Sequence, residues 1–234
     1  MSVKKFNIEN LMKYISKTNC YINILGHTNS GKSVLLDYLF VKIHKLFDSH
    51  ILFSRTIFTG NYKHFESKKS LFFEDFSEIV LRSVYEFQKM KIEDGEEKNR
   101  ILLLFDDTVD SSMFHSKIMQ SIIFNHRHLN ITLIFCSQTP RMIHPAIKEQ
   151  ARYLFIMHCF GKSRKNIVEN YLDSLFDDTS YINNTLKKVH EIDYTSAVVD
   201  LTVNPRNIDI QSFKADINTV NKFKLKKKRE REKK

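Results

Sequence analysis

Residues 26 to 33 read GHTNSGKS, a complete phosphate-binding loop, and this octapeptide restricts the fold more than any other feature of the chain. Such a loop works only between a strand and a helix. Here the apolar run Tyr21-Ile22-Asn23-Ile24-Leu25 precedes it, and Val34, Leu35, Leu36, Tyr38, Leu39, Phe40 and Ile43 follow at helical spacing. In that setting the backbone N–H groups of Gly26, His27, Thr28, Asn29, Ser30, Gly31, Lys32, Ser33 and Val34 would converge on the β-phosphate of a nucleotide. Gly26 and Gly31 allow the tight path, Lys32 offers a point charge to the β- and γ-phosphates, and the Ser33 hydroxyl is placed for Mg²⁺. The competing explanation is coincidence, and the correct flanks argue against it.

A chain of 234 residues with 42% hydrophobic content can bury one substantial core. The expected layout is an N-terminal helical segment at 1–20, a P-loop domain at 21–205, and a C-terminal extension with a basic tail at 206–234. No apolar run approaches the roughly 20 residues that span a bilayer, and the first residues lack the apolar stretch of a signal peptide. The chain is therefore read as soluble and intracellular. Cys20, Cys136 and Cys159 are odd in number and spaced for neither a disulfide framework nor a zinc site. Of the net charge of +10, residues Lys222 to Lys234 carry +7. In isolation such a run repels itself and stays extended, and it could neutralise nucleic-acid phosphates. A solvated terminus or a localisation signal would look the same.

After the P-loop, helix-period and strand-like segments alternate, the pattern of an α/β protein with a largely parallel central sheet flanked by helices. An amphipathic helix carrying Ile8, Leu11, Met12 and Ile15 comes first, then a strand at Tyr21–Leu25, a helix to about Phe47 and a strand at His50–Phe53. An irregular stretch to about Phe73 precedes a helix from Phe76 to about Lys91. The strands Ile101–Phe105, Ile131–Cys136 and Tyr153–His158 are separated by helices within Ser112–Asn125 and near Ala146–Arg152. A last helix is expected at Asn166–Phe176 and a terminal strand, at an edge, at Ser196–Val203. Gly161-Lys162-Ser163 repeats the end of the P-loop signature, but residue 156 is Ile rather than Gly, and these residues read as a loop before the next helix.

Ile101 to Asp107 reads ILLLFDD, an apolar strand ending in two carboxylates, as a Walker B strand does. A buried strand next to the P-loop strand would deliver its last side chains to the phosphate crevice. Asp106 would hold Mg²⁺ opposite Ser33. Because strand residues alternate in direction, Asp107 would face the γ-phosphate and polarise an attacking water. Alone, such a pair is more often a helix cap or turn; the P-loop upstream favours the catalytic reading. The strand from Ile131 ends in Ser137-Gln138-Thr139-Pro140, and Gln138 is the candidate to orient water or sense the γ-phosphate.

The combination GHTNSGKS, ILLLFDD and HRHLNITLIFCSQTP, in this order, resembles the FtsK/HerA superfamily of RecA-like, DNA-translocating P-loop ATPases. Within it, the likeness is to genome-packaging ATPases of poxviruses and related large DNA viruses, virophages and membrane-containing icosahedral viruses. It spans about Ile22 to His158; Arg55 to Asn99 and the region after Phe160 match only in general layout. The resemblance implies Walker A roles for Gly26, Gly31, Lys32 and Ser33, an acidic pair at Asp106 and Asp107, and a sensor role for Gln138. Many relatives have Asp-Glu where this chain has Asp-Asp, so the second carboxylate is one methylene shorter. Arg127 matches an arginine that, in relatives, acts as a finger in the neighbouring subunit's site, and Arg141 is a second candidate. Its alternative is a basic residue favourable to the helix dipole.

The resemblance thus implies an ATP- and Mg²⁺-dependent homo-oligomeric ring that moves double-stranded DNA, with capsid or portal-vertex proteins as partners. Its place would be the host cytoplasm, the viral assembly site or the virion. Two other classes compete on the P-loop alone. A phosphotransferase acting on a small molecule would need an arginine-rich lid, which the sequence does not display. A nucleotide-switched binding protein such as a GTPase would carry Asn-Lys-x-Asp, which is absent.

Overall fold

Alternating apolar strands and amphipathic helices assemble into one eight-stranded sheet covered on both faces. The computed structural model describes residues 3–59, 62–108, 111–138 and 145–232. The elements run α1 (Ile8–Lys17), β1 (Tyr21–Leu25), α2 (Lys32–Ile43), β2 (Ser49–Ser54), β3 (Ser70–Phe73), α3 (Glu78–Glu93), β4 (Ile101–Asp106), α4 (Ser111–His115) and α5 (Lys117–Asn125). They continue with β5 (Ile131–Ser137), α6 (Pro145–Lys148), β6 (Tyr153–Ile156), α7 (Gly161–Ile167), α8 (Thr179–His190), β7 (Thr195–Asp200), β8 (Ile210–Lys214) and α9 (Ile217–Glu232). The strand order is β3-β2-β4-β5-β1-β6-β7-β8. All pairings from β3 to β6 are parallel, and β7 and β8 add antiparallel.

Period-two alternation sorts the strand side chains into two cores. Ile101, Leu103 and Phe105 of β4 join Leu81, Val84, Ile118 and Ile122 on the face covered by α3 and α5. Leu102 and Leu104 join Leu11, Ile15, Leu35, Leu39 and Phe40 on the face covered by α1 and α2. Across the first face runs an aromatic ladder. Phe53 stacks on Phe105 at 4.8 Å and Phe105 on Phe135 at 4.7 Å, with Phe73 and Tyr21 extending it to 5.4 and 5.0 Å at the two ends. Cross-strand aromatic pairs of this kind fix register as well as burying area.

The structure differs from the sequence reading in several places, among them the unread strand β8 and helix α8. Ser70–Phe73, at the end of the stretch expected to be irregular, pairs in parallel with β2 as the edge strand β3. Residues 195–200 are not at an edge, because β8 pairs beyond them. Residues 161–163 form the first turn of α7 rather than a loop, and α7 passes into a π-turn at Val168–Leu172. Finally, β4 does not adjoin the P-loop strand; β5 lies between them. Parallel neighbours need a crossover, so sequence order does not reveal which strand fills the gap.

The first described residues are tied into this sheet, and the last pack against α2 and the segment after β2. The Phe6 amide donates to the Ser212 carbonyl at 2.8 Å, and the Ser212 amide to the Lys4 carbonyl at 2.8 Å, covering the edge of β8. The basic tail is helical as far as Glu232. Its Glu230 and Glu232 pair with Lys227 and Lys228 one turn away, relieving the self-repulsion expected of an isolated run. Val220 is buried, Phe223 meets His44 edge-on at 5.2 Å, Lys224 reaches Asp37 at 2.6 Å and Arg231 reaches Glu66 at 3.0 Å. No described helix is long and apolar enough to cross a membrane.

Phe105, stacked between Phe53 and Phe135, is a costly truncation on this face. Phe105→Ala should lower unfolding stability by about 3–5 kcal/mol, read as a lower urea midpoint with an unchanged slope; a loss below about 1 kcal/mol would mean that the ladder is not a main support.

Candidate nucleotide site

The loop sequence dictates its own geometry. Asn29 and Gly31 have φ of 61° and 94°, the left-handed region that glycine enters without a Cβ clash. A Cβ on Gly31 would stand 2.8 Å from Tyr194 Cδ1, and one on Gly26 would stand 2.6 Å from Met157 Cβ. Both glycines are therefore required by close approach, Gly31 also by its backbone. The Gly26 amide donates to the Ser137 carbonyl at 3.2 Å and the His27 amide to the His158 carbonyl at 3.3 Å, fastening the loop to the strands on either side. Helix α2 starts at Lys32, and Gly31 at its N-cap supplies no side-chain acceptor. The free amides of its first turn therefore face the loop's mouth, as an anion site requires.

Lys32 is buried, and its ammonium donates to the His27 carbonyl at 2.9 Å. Burial pulls its pKa below the usual lysine range, while Asp107 foremost, and then Cys136 and Asp106, pull it back up. Ser33 is exposed at the start of α2. With Val34, Asp37, Tyr62 and Asp107 it lines a cleft of about 790 Å³. The opposite wall of the cleft carries Lys224, Lys227, Lys228 and Arg231 of α9.

Asp106 ends β4 on the α2 face, where the alternation of the strand puts it, and is 1% exposed. Burial raises its pKa to about 6; the Tyr62 hydroxyl, which donates to Oδ2, works against that rise, Asp107 adds to it and Lys32 opposes it. Oδ1 is buried and has no hydrogen-bond partner among the described residues. A bare carboxylate oxygen on a strand end that feels the charge of the P-loop amine fits a hard cation shared with phosphate oxygens. The described residues hold no group of three or more His, Cys, Asp or Glu suited to an all-protein metal cage.

The strand alternation expected to aim Asp107 does not reach it. β4 stops at Asp106, and Asp107 takes a left-handed φ of 55°. A non-glycine residue held there costs energy and persists only where its surroundings fix it. Gln138 does so: its Nε2 donates to Asp107 Oδ1 at 2.9 Å, while its Oε1 accepts from Thr28 Oγ1 at 2.7 Å. The glutamine thus links the P-loop to the second carboxylate.

With this arrangement in view, the relatives can be placed. Residues 3–189 match the family described as Poxvirus A32 protein. The chain belongs to that family. Protein 075L of Invertebrate iridescent virus 6 is 30% identical to this A32-family chain over 153 residues, 64% of the chain and 59% of that protein. The chain therefore spans under two thirds of that relative's length. Among solved structures, B204, described as the DNA-packaging ATPase from Sulfolobus Turreted Icosahedral Virus, superposes with a TM-score of 0.59 at 16% identity, covering 82% of this chain and 96% of its own. EssC from Geobacillus thermodenitrificans, in a structure of its ATPases 2 and 3, gives 0.60 at 16% identity, covering 92% and 44%. At these identities the likeness establishes a shared P-loop fold.

The remaining candidate of the A32-family chain lies apart. Arg127 is exposed just before β5, at the opposite end of that strand from Gln138. Seven residues of strand separate the two ends, roughly 20 Å at about 3.3 Å per residue, so Arg127 does not reach its own P-loop. Arg141 falls outside the described residues. Sequence reasoning missed Tyr62, which lies in the stretch read as irregular, and Asp37, one turn after Ser33, whose carboxylate takes both His64 and Lys224. The periodicity around Asp37 is apolar and marked nothing; an acid among Leu35, Leu36 and Tyr38 on a helix was the available signal.

Gly31→Ala should weaken binding of a fluorescent ATP analogue about tenfold, since the left-handed backbone costs a residue with a Cβ about 1–2 kcal/mol. Adding Tyr194→Ala should restore only part of the loss; full restoration would assign the whole effect to the side-chain clash.

Proposed function

We propose that this chain is an ATP-hydrolysing motor that moves double-stranded DNA into a viral capsid. The observation that carries this reading is the hydrogen-bonded chain Thr28–Gln138–Asp107 joining the P-loop to the carboxylate end of β4 in a member of the poxvirus A32 family. Gly26, His27, Thr28, Asn29, Ser30, Gly31, Lys32, Ser33 and Val34 form the phosphate cradle, with Lys32 supplying charge. Ser33 and Asp106 would hold Mg²⁺, which when bound neutralises charge on the phosphate oxygens. Asp107 accepts the proton of the attacking water, and Gln138 fixes the direction from which it does so. The description of B204 as a DNA-packaging ATPase supports DNA as the cargo.

The working form is a homo-oligomeric ring. Repeated head-to-tail contacts close such a ring and bring one subunit's residues to the next subunit's site. Arg127, too distant to serve its own nucleotide, is assigned as the finger that enters its neighbour's. Capsid or portal-vertex proteins are the assigned partners, and the viral assembly site in the host cytoplasm, or the virion, the assigned place of action. The α9 cations facing the cleft favour one second reading, a phosphotransferase with a basic lid. Products separate the two: free phosphate for the motor, phosphorylated nucleosides for the transferase.

The decisive measurement is ATPase rate against added duplex DNA with oligomer size followed in parallel. Stimulation by DNA is expected, Lys32→Ala should lose productive nucleotide binding, and Asp107→Asn should bind normally while hydrolysing about 10²–10⁴-fold more slowly. Rates indifferent to DNA in a chain that stays monomeric would overturn the reading. Mixing Arg127→Ala with Lys32→Ala subunits should recover some hydrolysis, since mixed interfaces of one polarity pair the intact P-loop of the first with the intact finger of the second; no recovery would remove Arg127 from the site.

A further inference from the structure

The segment that follows β2 matches the packaging-ATPase resemblance only in general layout, yet it delivers a side chain to the centre of the site. Tyr62 is 4% exposed, and its hydroxyl donates to Asp106 Oδ2. The other carboxylate oxygen, Oδ1, has no partner among the described residues. An aspartate's terminal torsion is broad and two-fold, so a buried carboxylate with no partner could turn either oxygen, or neither, toward a cation. One directional bond to Oδ2 removes that freedom and leaves Oδ1 to point elsewhere.

The segment that carries this hydroxyl is held from several sides. The Phe65 amide donates to the Tyr62 carbonyl at 2.8 Å, closing the turn that carries Tyr62. The Tyr62 ring meets Phe65 edge-on at 5.6 Å, and Phe65 stacks on Phe40 of α2 at 3.9 Å. His64 Nε2 is 2.9 Å from Asp37 Oδ1, also on α2, and Glu66 pairs with Arg231 of α9 at 3.0 Å. Because Ser33 and Asp37 are on one helix, the same contacts that fix Tyr62 reference it to the Ser33 hydroxyl, which lines the same cleft.

We propose that Tyr62 is a positioning residue that orients the Asp106 carboxylate toward the cation shared with Ser33. This inference rests on the reading of Asp106 and Ser33 as the metal side of the nucleotide site. Partners that orient a ligand in this way generally contribute 10- to 100-fold to metal affinity. Tyr62→Phe removes the hydroxyl and keeps the ring against Phe65.

The test titrates Mg²⁺ into the full chain with a fluorescent ATP analogue, and Mn²⁺ into the same complex with its electron paramagnetic signal as readout. Tyr62→Phe should weaken the metal dependence at least tenfold while leaving analogue binding in EDTA and the melting temperature close to wild type. In an Asp106→Asn background the same substitution should add almost nothing, because residues acting through one another are not additive. An unchanged metal titration in a folded Tyr62→Phe chain would overturn the proposal alone. So would a full additional loss in the double variant, which marks a general structural role. A wild-type chain whose nucleotide binding ignores the metal would overturn the underlying site reading instead.

Discussion

Leu25 pairs with Ser137 and Cys136 with Asp106, so β1, β5 and β4 end on one line at the same edge of the sheet. Everything at the site hangs from that register. Gly26 continues β1 and bonds to the Ser137 carbonyl, Gln138 continues β5, and Asp107 continues β4. A slip of one residue in β5 would carry Gln138 about 3.3 Å along the strand and turn its side chain to the other face, breaking both of its hydrogen bonds. The stacked rings of Phe53, Phe105 and Phe135, immediately behind these strand ends, resist such a slip. Core packing and the geometry of the candidate site are here two views of one alignment.

Burial gives each group of the site a distinct electrical character. Asp106 is sealed beneath the P-loop helix and bonded by a phenol, whereas Asp107 is only partly covered and bonded by an amide. Two adjacent acids therefore stand in unlike surroundings, which is how neighbouring carboxylates come to do different work. The left-handed backbone of Asp107 separates them further, turning the second acid out of the strand that ends in the first.

The motifs were legible because chemistry and periodicity coincide there. ILLLF followed by two acids, or ITLIFCS followed by glutamine, marks both a buried strand and the end at which the candidate residues sit in one stretch. The strands that went unread are those that alternation marks poorly. β3 is four residues long, with Leu71 54% exposed at the sheet edge, and β8 has the half-buried pattern of an edge. α8 was announced by Asp178 at its N-cap and by Ile182, Leu186 and Val189, but its polar residues outnumber the apolar ones. The insertion of β5 between β1 and β4 has no local signature at all, since non-local pairing is decided by the whole sheet. Tyr62 was hidden for the same reason: its partner lies 44 positions away.

The strand order also sets a timetable for making the molecule. β1 lies between β5 and β6, and its first pairing partners, from Leu133 onward, come more than a hundred positions later in the chain. While the chain leaves the ribosome, β2, β3 and β4 can find one another over short separations, but Ile22 and Ile24 have no sheet to join. Pairings of such long separation form slowly, because the intervening loop must be closed before any contact rewards it. The phosphate loop, visible within the first 33 residues, therefore acquires its final shape only after residue 158 has been synthesised and β6 has docked beside it.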